Sequence, residues 1–133
     1  MKKIIEFLNQ NKFGNLATCN NYKPDTRPFE LVFYCDKGMF FYTSSDVDLT
    51  NQLITNPNIC FCATDSNYNY VKVSGSVIFS VESEDKVKIL EKSEFAKTIY
   101  NDSNIDKMKV FFLPHGKCMM HFHIDNKVIT DEF

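Results

Sequence analysis

A run of three hydroxyl side chains, Thr43-Ser44-Ser45, leads directly into residues 46–54, whose pattern predicts a short helix. Backbone N–H groups in the first turn of a helix lack internal partners, and the helix dipole adds positive charge there. A strand, a hydroxyl run and a helix start in this order suit the binding of a phosphate-like anion. Arg27 could fork onto the same anion. Two plainer interpretations stay open: the hydroxyls only cap the helix, and Arg27 is a surface charge on a strand.

Histidine and cysteine pairs at alternating positions raise the question of a metal site. His121 and His123 share one strand face, and Cys60 and Cys62 share a face of another strand. Neither pair has further ligands at the spacing typical of zinc sites, so we predict no metal. The histidines are expected on a solvated or interface-facing strand. The cysteines are expected to be small buried side chains.

The residues that carry this chemistry lie on elements that are mostly strands. Apolar residues at helical spacing over 1–8 predict one amphipathic helix that ends near Gly14. A helical insertion is predicted over 83–100, with Ser83 as its N-cap. Gly75 interrupts the apolar face of the longest predicted strand, which indicates a bulge or a sharp bend. The predicted strands are 15–19, 26–35, 39–44, 58–64, 70–82, 109–113 and 117–124.

These elements follow one another in meander-like order with few helices. The pattern predicts a mainly β fold with flanking helices (α+β), built as a six-stranded antiparallel split β-barrel. With 133 residues the chain has room for one domain, residues 1–133.

Composition excludes several classes of protein. Formal net charge is −2 and basic residues are dispersed, so a nucleic-acid partner is not expected. No apolar stretch is long enough to cross a bilayer, and the charged N-terminus does not resemble a signal peptide. Five cysteines without a secretion signal indicate reduced thiols. We therefore expect a cytoplasmic protein without a membrane partner.

The order of short motifs from residue 15 onward resembles the pyridoxamine 5′-phosphate oxidase-like FMN-binding split-barrel family, within it the nitroimidazole-resistance-type flavoprotein branch. The resemblance covers nearly the whole chain. Each motif is short, and their order and spacing together carry the match. The matching pieces are Leu16-Ala17-Thr18, residues 23–29 (KPDTRPF), 40–44 (FFYTS), 51–53 (NQL), 56–57 (NP) and 70–75 (YVKVSG).

The resemblance implies a homodimer that holds flavin mononucleotide (FMN) in a groove made by both subunits. It implies that aromatic side chains line the flat ring and that hydroxyls serve the phosphate. Tyr70 and Lys72 are the candidates for reaching across from the second subunit. The cofactor-binding residues implied are Arg27, Pro28, Phe29, Tyr42, Thr43, Ser44, Ser45, Gln52, Tyr70 and Lys72.

One position departs from the family pattern. Relatives usually carry Lys or Arg just after the hydroxyl run, whereas this chain has Asp46 and Asp48. Each such change could cost on the order of 1 kcal/mol of phosphate affinity at a partly exposed site.

The activity implied is that of a flavin-dependent oxidoreductase with an unknown small-molecule substrate. It would transfer two electrons between FMN and a small organic or nicotinamide donor. No catalytic acid or base is identified. The alternatives are a non-catalytic flavin- or haem-binding module and a cofactor-free dimeric interaction protein on the same scaffold.

Overall fold

The computed structural model describes residues 1–133, which form two antiparallel β-sheets and four helices. The larger sheet has six strands in the order β10-β9-β6-β5-β1-β2, and the smaller has four in the order β3-β4-β8-β7. The strands are β1 Phe13–Asn20, β2 Lys23–Glu30, β3 Phe33–Cys35, β4 Gly38–Ser44, β5 Asn58–Thr64, β6 Tyr70–Ser76, β7 Ile78–Phe79, β8 Met108–Leu113, β9 Lys117–Phe122 and β10 Lys127–Glu132. The helices are α1 Lys2–Gln10, α2 Asp48–Thr55, α3 Ser83–Lys92 and α4 Glu94–Ile99, and a 3₁₀ turn spans Ile105–Lys107.

The mainly β, α+β class is confirmed, but the strands do not close into one six-stranded barrel. Ten strands divide between two sheets, because two segments predicted as single strands cross from one sheet to the other. In the first, Leu31 and Val32 are adjacent and both buried, which a single strand facing one core does not allow. Leu31 packs into the core between the sheets, and Val32 into a second core beneath α3 and α4.

The second crossing divides the predicted strand over 70–82. Val77 lies between β6 and β7, and its N–H donates to Pro57 O at 2.9 Å. Gly75 is not a bulge, since its partner Ile59 stays in register. Its role is close approach, because a Cβ there would lie 2.7 Å from His115 O.

Other predicted elements also differ from the structure. Helix α1 ends at Gln10, and Gly14 lies inside β1, where a Cβ would meet Cys62 O at 2.2 Å. The insertion over 83–100 is two helices that break at Ser93, and Ser93, not Ser83, provides a side-chain cap. Strand β10 was not predicted.

Two cores hold the sheets and helices together. The larger core fills the space between the sheets, and α1 and α2 add side chains such as Leu8 and Leu53 to it. The smaller core lies between the four-stranded sheet and the pair α3 and α4, with Ile89 fully buried. No helix contributes to the other face of the six-stranded sheet, here called the outer face. None of the helices has the length and apolar character needed to span a membrane.

Candidate functional site

A cleft of about 430 Å³ opens where the end of β2 separates from the end of β4. Strand β2 supplies one wall, β4 supplies the floor, and α4 forms a roof. Apolar and aromatic side chains dominate the lining, with few polar groups, as is typical of small-molecule sites. The lining residues are Phe13, Pro28, Phe29, Glu30, Tyr42, Thr43, Ser44, Val47, Phe95, Ile99 and Tyr100.

The aromatic walls are fixed by the cores behind them. The Phe29 ring lies 6.2 Å from Phe41 and 5.9 Å from Phe111, measured between ring centroids. At the mouth, Phe13 and Phe95 meet edge to face at 6.0 Å, and both are more than half exposed. Flat faces of this kind suit a planar ligand ring.

Tyr42 lies on the floor of the cleft, and its hydroxyl has no hydrogen-bond partner. Burial, with the nearby Glu30 carboxylate as a further cause, raises the pKa of Tyr42 to about 12. The Ser93 hydroxyl acts in the opposite direction, although no hydrogen bond joins it to Tyr42. Tyr42 is therefore a neutral hydroxyl near pH 7, and the burial of this hydroxyl without a partner is costly to the folded state.

Glu30 is the only charged residue of the lining, and a hydrogen bond holds its side chain in position. The residue is 6% exposed, and the Ser93 hydroxyl donates to Glu30 Oε1 at 2.6 Å. Ser93 also accepts from the Ala96 N–H at 3.0 Å as the cap of α4. One side chain therefore links the roof of the cleft to its wall.

Hydrogen bonds also hold the roof over the end of β4. The Tyr100 hydroxyl donates to Thr43 O at 3.2 Å and bonds the Ser44 hydroxyl. From α2, the Thr50 hydroxyl donates to Ser44 O at 2.8 Å. Ser44 is therefore tied to both helices.

The start of α2 lies directly beyond the cleft. It has no side-chain cap, and Asp48 is the acidic residue of its first turn. The Ser45 N–H donates to Lys107 O at 2.8 Å. Lys107 Nζ lies 3.7 Å from Asp46 Oδ2, with both side chains exposed. Lys107, which is distant in sequence, therefore places a basic side chain beside Asp46.

Arg27 and Gln52 do not line the cleft and instead bind each other. Arg27 donates to Leu16 O at 3.1 Å, to Thr18 Oγ1 at 2.9 Å and to Gln52 Oε1 at 3.3 Å. It also pairs with Asp25 Oδ2 at 3.0 Å. The hydrogen bond from Gln52 and the charge of Arg27 lower the pKa of Asp25. This group joins β1, β2 and α2 at one end of the space between the sheets.

Tyr70 and Lys72 lie on the outer face, on the far side of the sheet from the core. The Tyr70 ring stacks on His121 at 5.0 Å, and Lys72 is in register with Cys62 and Met119. Lys72 borders an open, polar hollow of about 640 Å³ on this face.

The cysteines were expected in the core, and for four of them that expectation is wrong. All five thiols are free, and only Cys118 is buried. Cys60 and Cys62 belong to β5, whose alternate residues Phe61 and Ala63 take the core positions. No group of three or more His, Cys, Asp or Glu side chains is placed to hold a metal ion.

Sequence reasoning therefore identified part of the cleft. Pro28, Phe29, Tyr42, Thr43 and Ser44 converge there. It missed Glu30 and the residues of α4, and one signal was available for Glu30. A carboxylate among apolar residues of a strand that enters the core requires a partner.

Comparison with known proteins gives the chain its family. Residues 1–113 match the family model described as pyridoxamine 5′-phosphate oxidase. A search of curated proteins gave no significant match.

Solved structures share the fold at low identity. A NimC/NimA family protein from Clostridium acetobutylicum is 22% identical with a TM-score of 0.88, over 100% of this chain and 92% of that one. A pyridoxamine 5′-phosphate oxidase-related, FMN-binding protein from Nostoc punctiforme is 9% identical with a TM-score of 0.61, over 92% and 86% of the two chains. A heme binding protein from Mycobacterium smegmatis is 12% identical with a TM-score of 0.72, over 97% of this chain and 55% of that one. The match over residues 1–113, supported by these folds, means that the chain belongs to the pyridoxamine 5′-phosphate oxidase-like family.

Proposed function

We propose that the protein is an FMN-binding flavoprotein that acts as a flavin-dependent oxidoreductase on a small molecule. One observation carries the proposal: an aromatic cleft runs directly into the uncapped N-terminus of a helix. FMN has a flat ring and a phosphate. The aromatic cleft suits the ring, and the helix N-terminus suits the phosphate. The FMN-binding protein of the same fold supports the choice of cofactor.

The residues of the cleft fit the ring. Phe29 and Tyr42 offer aromatic surface to a planar ring. The Tyr42 hydroxyl is enclosed within the protein and, because its pKa is raised to about 12, keeps its proton near pH 7.

The phosphate end depends on dipoles more than on charges. The Ser45 hydroxyl and the N–H groups of Asp48 and Leu49 in the first turn of α2 supply the donors, since the Ser44 hydroxyl and the Ser45 N–H already bond Tyr100 and Lys107. Lys107 is the cation beside them, and it offsets part of the repulsion from Asp46. We infer that binding is weaker than with the usual basic residues and still specific.

When bound, FMN supplies two-electron transfer with a small organic or nicotinamide donor. The protein's contribution is orientation by the aromatic walls and exclusion of water by α4. No side chain of the lining is assigned as a general acid or base.

We also propose that two copies pair through the outer face. On this face Ala17, Cys60, Cys62 and Met119 are half-exposed, no helix covers them, and they form a broad surface across the central strands. A partly exposed apolar surface of this kind favours a protein partner. In such a pair, Tyr70 and Lys72 of each copy would approach the cleft of the other.

A visible absorption spectrum of the purified protein tests the cofactor. Flavin bands, or quenching of FMN fluorescence to a saturating 1:1 stoichiometry per chain, support the proposal. Reduction of the bound flavin by NADH or NADPH supports oxidoreductase activity. A Soret band without flavin bands would identify a haem protein instead, and colourless protein that leaves excess FMN unquenched would refute cofactor binding.

Light scattering with size-exclusion chromatography tests the dimer. We expect twice the mass of the chain for the wild type and a single-chain mass for Ala17→Arg, which places charge in the centre of the outer face. Ile54→Arg is the matched control, because Ile54 is 68% exposed on α2. A dimer that survives Ala17→Arg but not Ile54→Arg would assign the interface to another surface.

A further inference from the structure

The two edges of the six-stranded sheet differ in how their backbone groups are protected. Strand β2 contains Pro24 and Pro28, and proline cannot donate a backbone hydrogen bond to an added strand. Strand β10, at the other edge, contains no proline and pairs with β9 alone. Its β-branched residues Val128 and Ile129 are 52% and 38% exposed. An edge of this composition can accept a further strand.

The hydrogen bonds at the end of β10 show which of its residues bond to β9. Gly116 and Phe133 exchange two backbone hydrogen bonds, at 3.2 and 3.1 Å. Such pairs alternate along an antiparallel ladder. Because the register continues without interruption, Asp131 and Ile129 also direct their backbone groups toward β9.

The residues between them direct their backbone groups to the open edge. These are Val128, Thr130 and Glu132. The Glu132 N–H agrees with this assignment, because it donates to Asp131 Oδ1 at 2.8 Å and not to β9. The N–H and C=O groups of Val128 and Thr130 therefore remain free for another strand.

The side chains of β10 are complementary to a second copy of the same strand. Two copies can pair antiparallel about a twofold axis with Ile129 opposite Ile129. Val128 of each copy then exchanges two backbone hydrogen bonds with the partner's Thr130, which gives four across the pair. In the same register Lys127 lies opposite the partner's Asp131, and opposite charges at facing positions stabilise a sheet.

Both charged groups are available for this contact. Lys127 takes part in no ion pair within the chain. Asp131 bonds the Met1 amine but stays partly exposed, so a second cation can approach it. A register with Thr130 opposite itself fits less well, since it would place Val128 opposite Glu132 and remove the ion pairs.

We propose that the free edge of β10 is a self-association surface, where a second copy adds its own β10 antiparallel with Ile129 at the twofold axis. The two six-stranded sheets would become one continuous sheet. This contact is separate from the FMN site and from pairing through the outer face. Because it is short, it should be weak and appear at millimolar protein concentration.

Cysteine substitution tests the register. Ile129→Cys places two thiols opposite each other at the axis, within the separation that a disulfide spans. Oxidation with diamide at millimolar protein should join two chains well above the background from the native thiols of the wild type. Val128→Cys is the matched control, because Val128 would face Thr130 and not itself. Equal cross-linking of the two variants would overturn the proposal.

A second comparison separates the β10 edge from the outer face. Ala17 lies on β1, with three strands between it and β10. Adding Ala17→Arg to Ile129→Cys should therefore leave the cross-linking unchanged. Loss of the cross-link in the double variant would assign the contact to the outer face and contradict the proposal.

Amide hydrogen exchange, followed by NMR, measures the edge bonds directly. The Val128 and Thr130 N–H groups should exchange rapidly in dilute protein and slowly at millimolar concentration, whereas the Ile129 N–H should be protected in both. Lys127→Glu should weaken this association about tenfold, since like charges would then face each other twice, and Lys127→Arg should preserve it. Exchange at Val128 and Thr130 that does not depend on concentration would refute the β10 pair.

Discussion

Arg27 and Glu30 lie three residues apart on β2, and their surroundings differ in kind. Arg27 has protein partners on every side: a carbonyl, a hydroxyl, an amide oxygen and a carboxylate. Glu30 has one hydroxyl donor and an open cleft. A charge whose partners come from the protein stabilises the fold, whereas a charge left partly without partners is available to a ligand. The two ends of the strand therefore differ in how far the protein itself supplies partners for a charge.

The largest expected effect is that of Arg27→Ala. Loss of the guanidinium leaves the Thr18, Gln52 and Asp25 groups without their common donor, and we expect a loss of about 2–3 kcal/mol in unfolding free energy. Chemical denaturation measures it. Arg27→Lys restores the charge without the fork and should recover only part of the loss.

The same variant decides whether Arg27 also belongs to the cofactor site, as the family resemblance implies. Arg27→Ala is predicted to loosen FMN while the dimer stays intact. Unchanged FMN affinity in folded protein would confine Arg27 to a structural role and sharpen the contrast with Glu30.

Tyr42→Phe should have the next largest effect, and in the opposite direction. Removal of an unpartnered buried hydroxyl should stabilise ligand-free protein by about 1 kcal/mol. The wild type should also lose stability as pH rises above 10, because the unfolded tyrosine ionises there while the folded one, with its pKa raised to about 12, does not. Denaturation at pH 8 and pH 11 tests this, and an equal loss in Tyr42→Phe would assign it to other groups.

A smaller change is expected at the phosphate end. Lys107→Ala should weaken FMN about fivefold, since it removes the cation paired with Asp46, and the effect should shrink in high salt. Lys127→Ala serves as control, because β10 lies at the opposite edge of the six-stranded sheet from β2. Equal affinities for both variants would leave the helix start as the only phosphate contact.

The smallest effect concerns Asp25, whose pKa is lowered by Gln52 and Arg27. A lowered pKa stabilises the folded state above the unfolded value of 3.8, and this contribution is lost as pH falls through the folded value. Wild-type stability should therefore fall more steeply than that of Asp25→Asn below about pH 4. Parallel acid-denaturation curves would show that the Arg27 group does not depend on this carboxylate.

The local sequence pattern was enough to predict several helices and strands and part of the cleft lining. The boundaries of β5 are confirmed at Asn58–Thr64, and the hydroxyl run does lie at the end of a strand, shortly before a helix. These features depend on alternation and turn residues close in sequence. Phe29 and Tyr42 line the same cleft because β2 and β4 end at the same opening.

Features that depend on contacts between residues distant in sequence were not predicted. Gln52 faces Arg27 only because α2 packs against β1, and Lys107 reaches Asp46 from beyond α4. The insertion breaks at Ser93, which caps α4 and donates to Glu30, and this contact is visible only after β2 and α4 are brought together. Tertiary partners of this kind override local preference.

The adjacent pair Leu31 and Val32 has a consequence for how the molecule unfolds. One side chain anchors the core between the sheets and the next anchors the core under α3 and α4. Since one peptide bond joins the two anchors, neither core can loosen without pulling on the other. Denaturation should therefore be cooperative, with spectroscopic signals from both cores changing in a single transition.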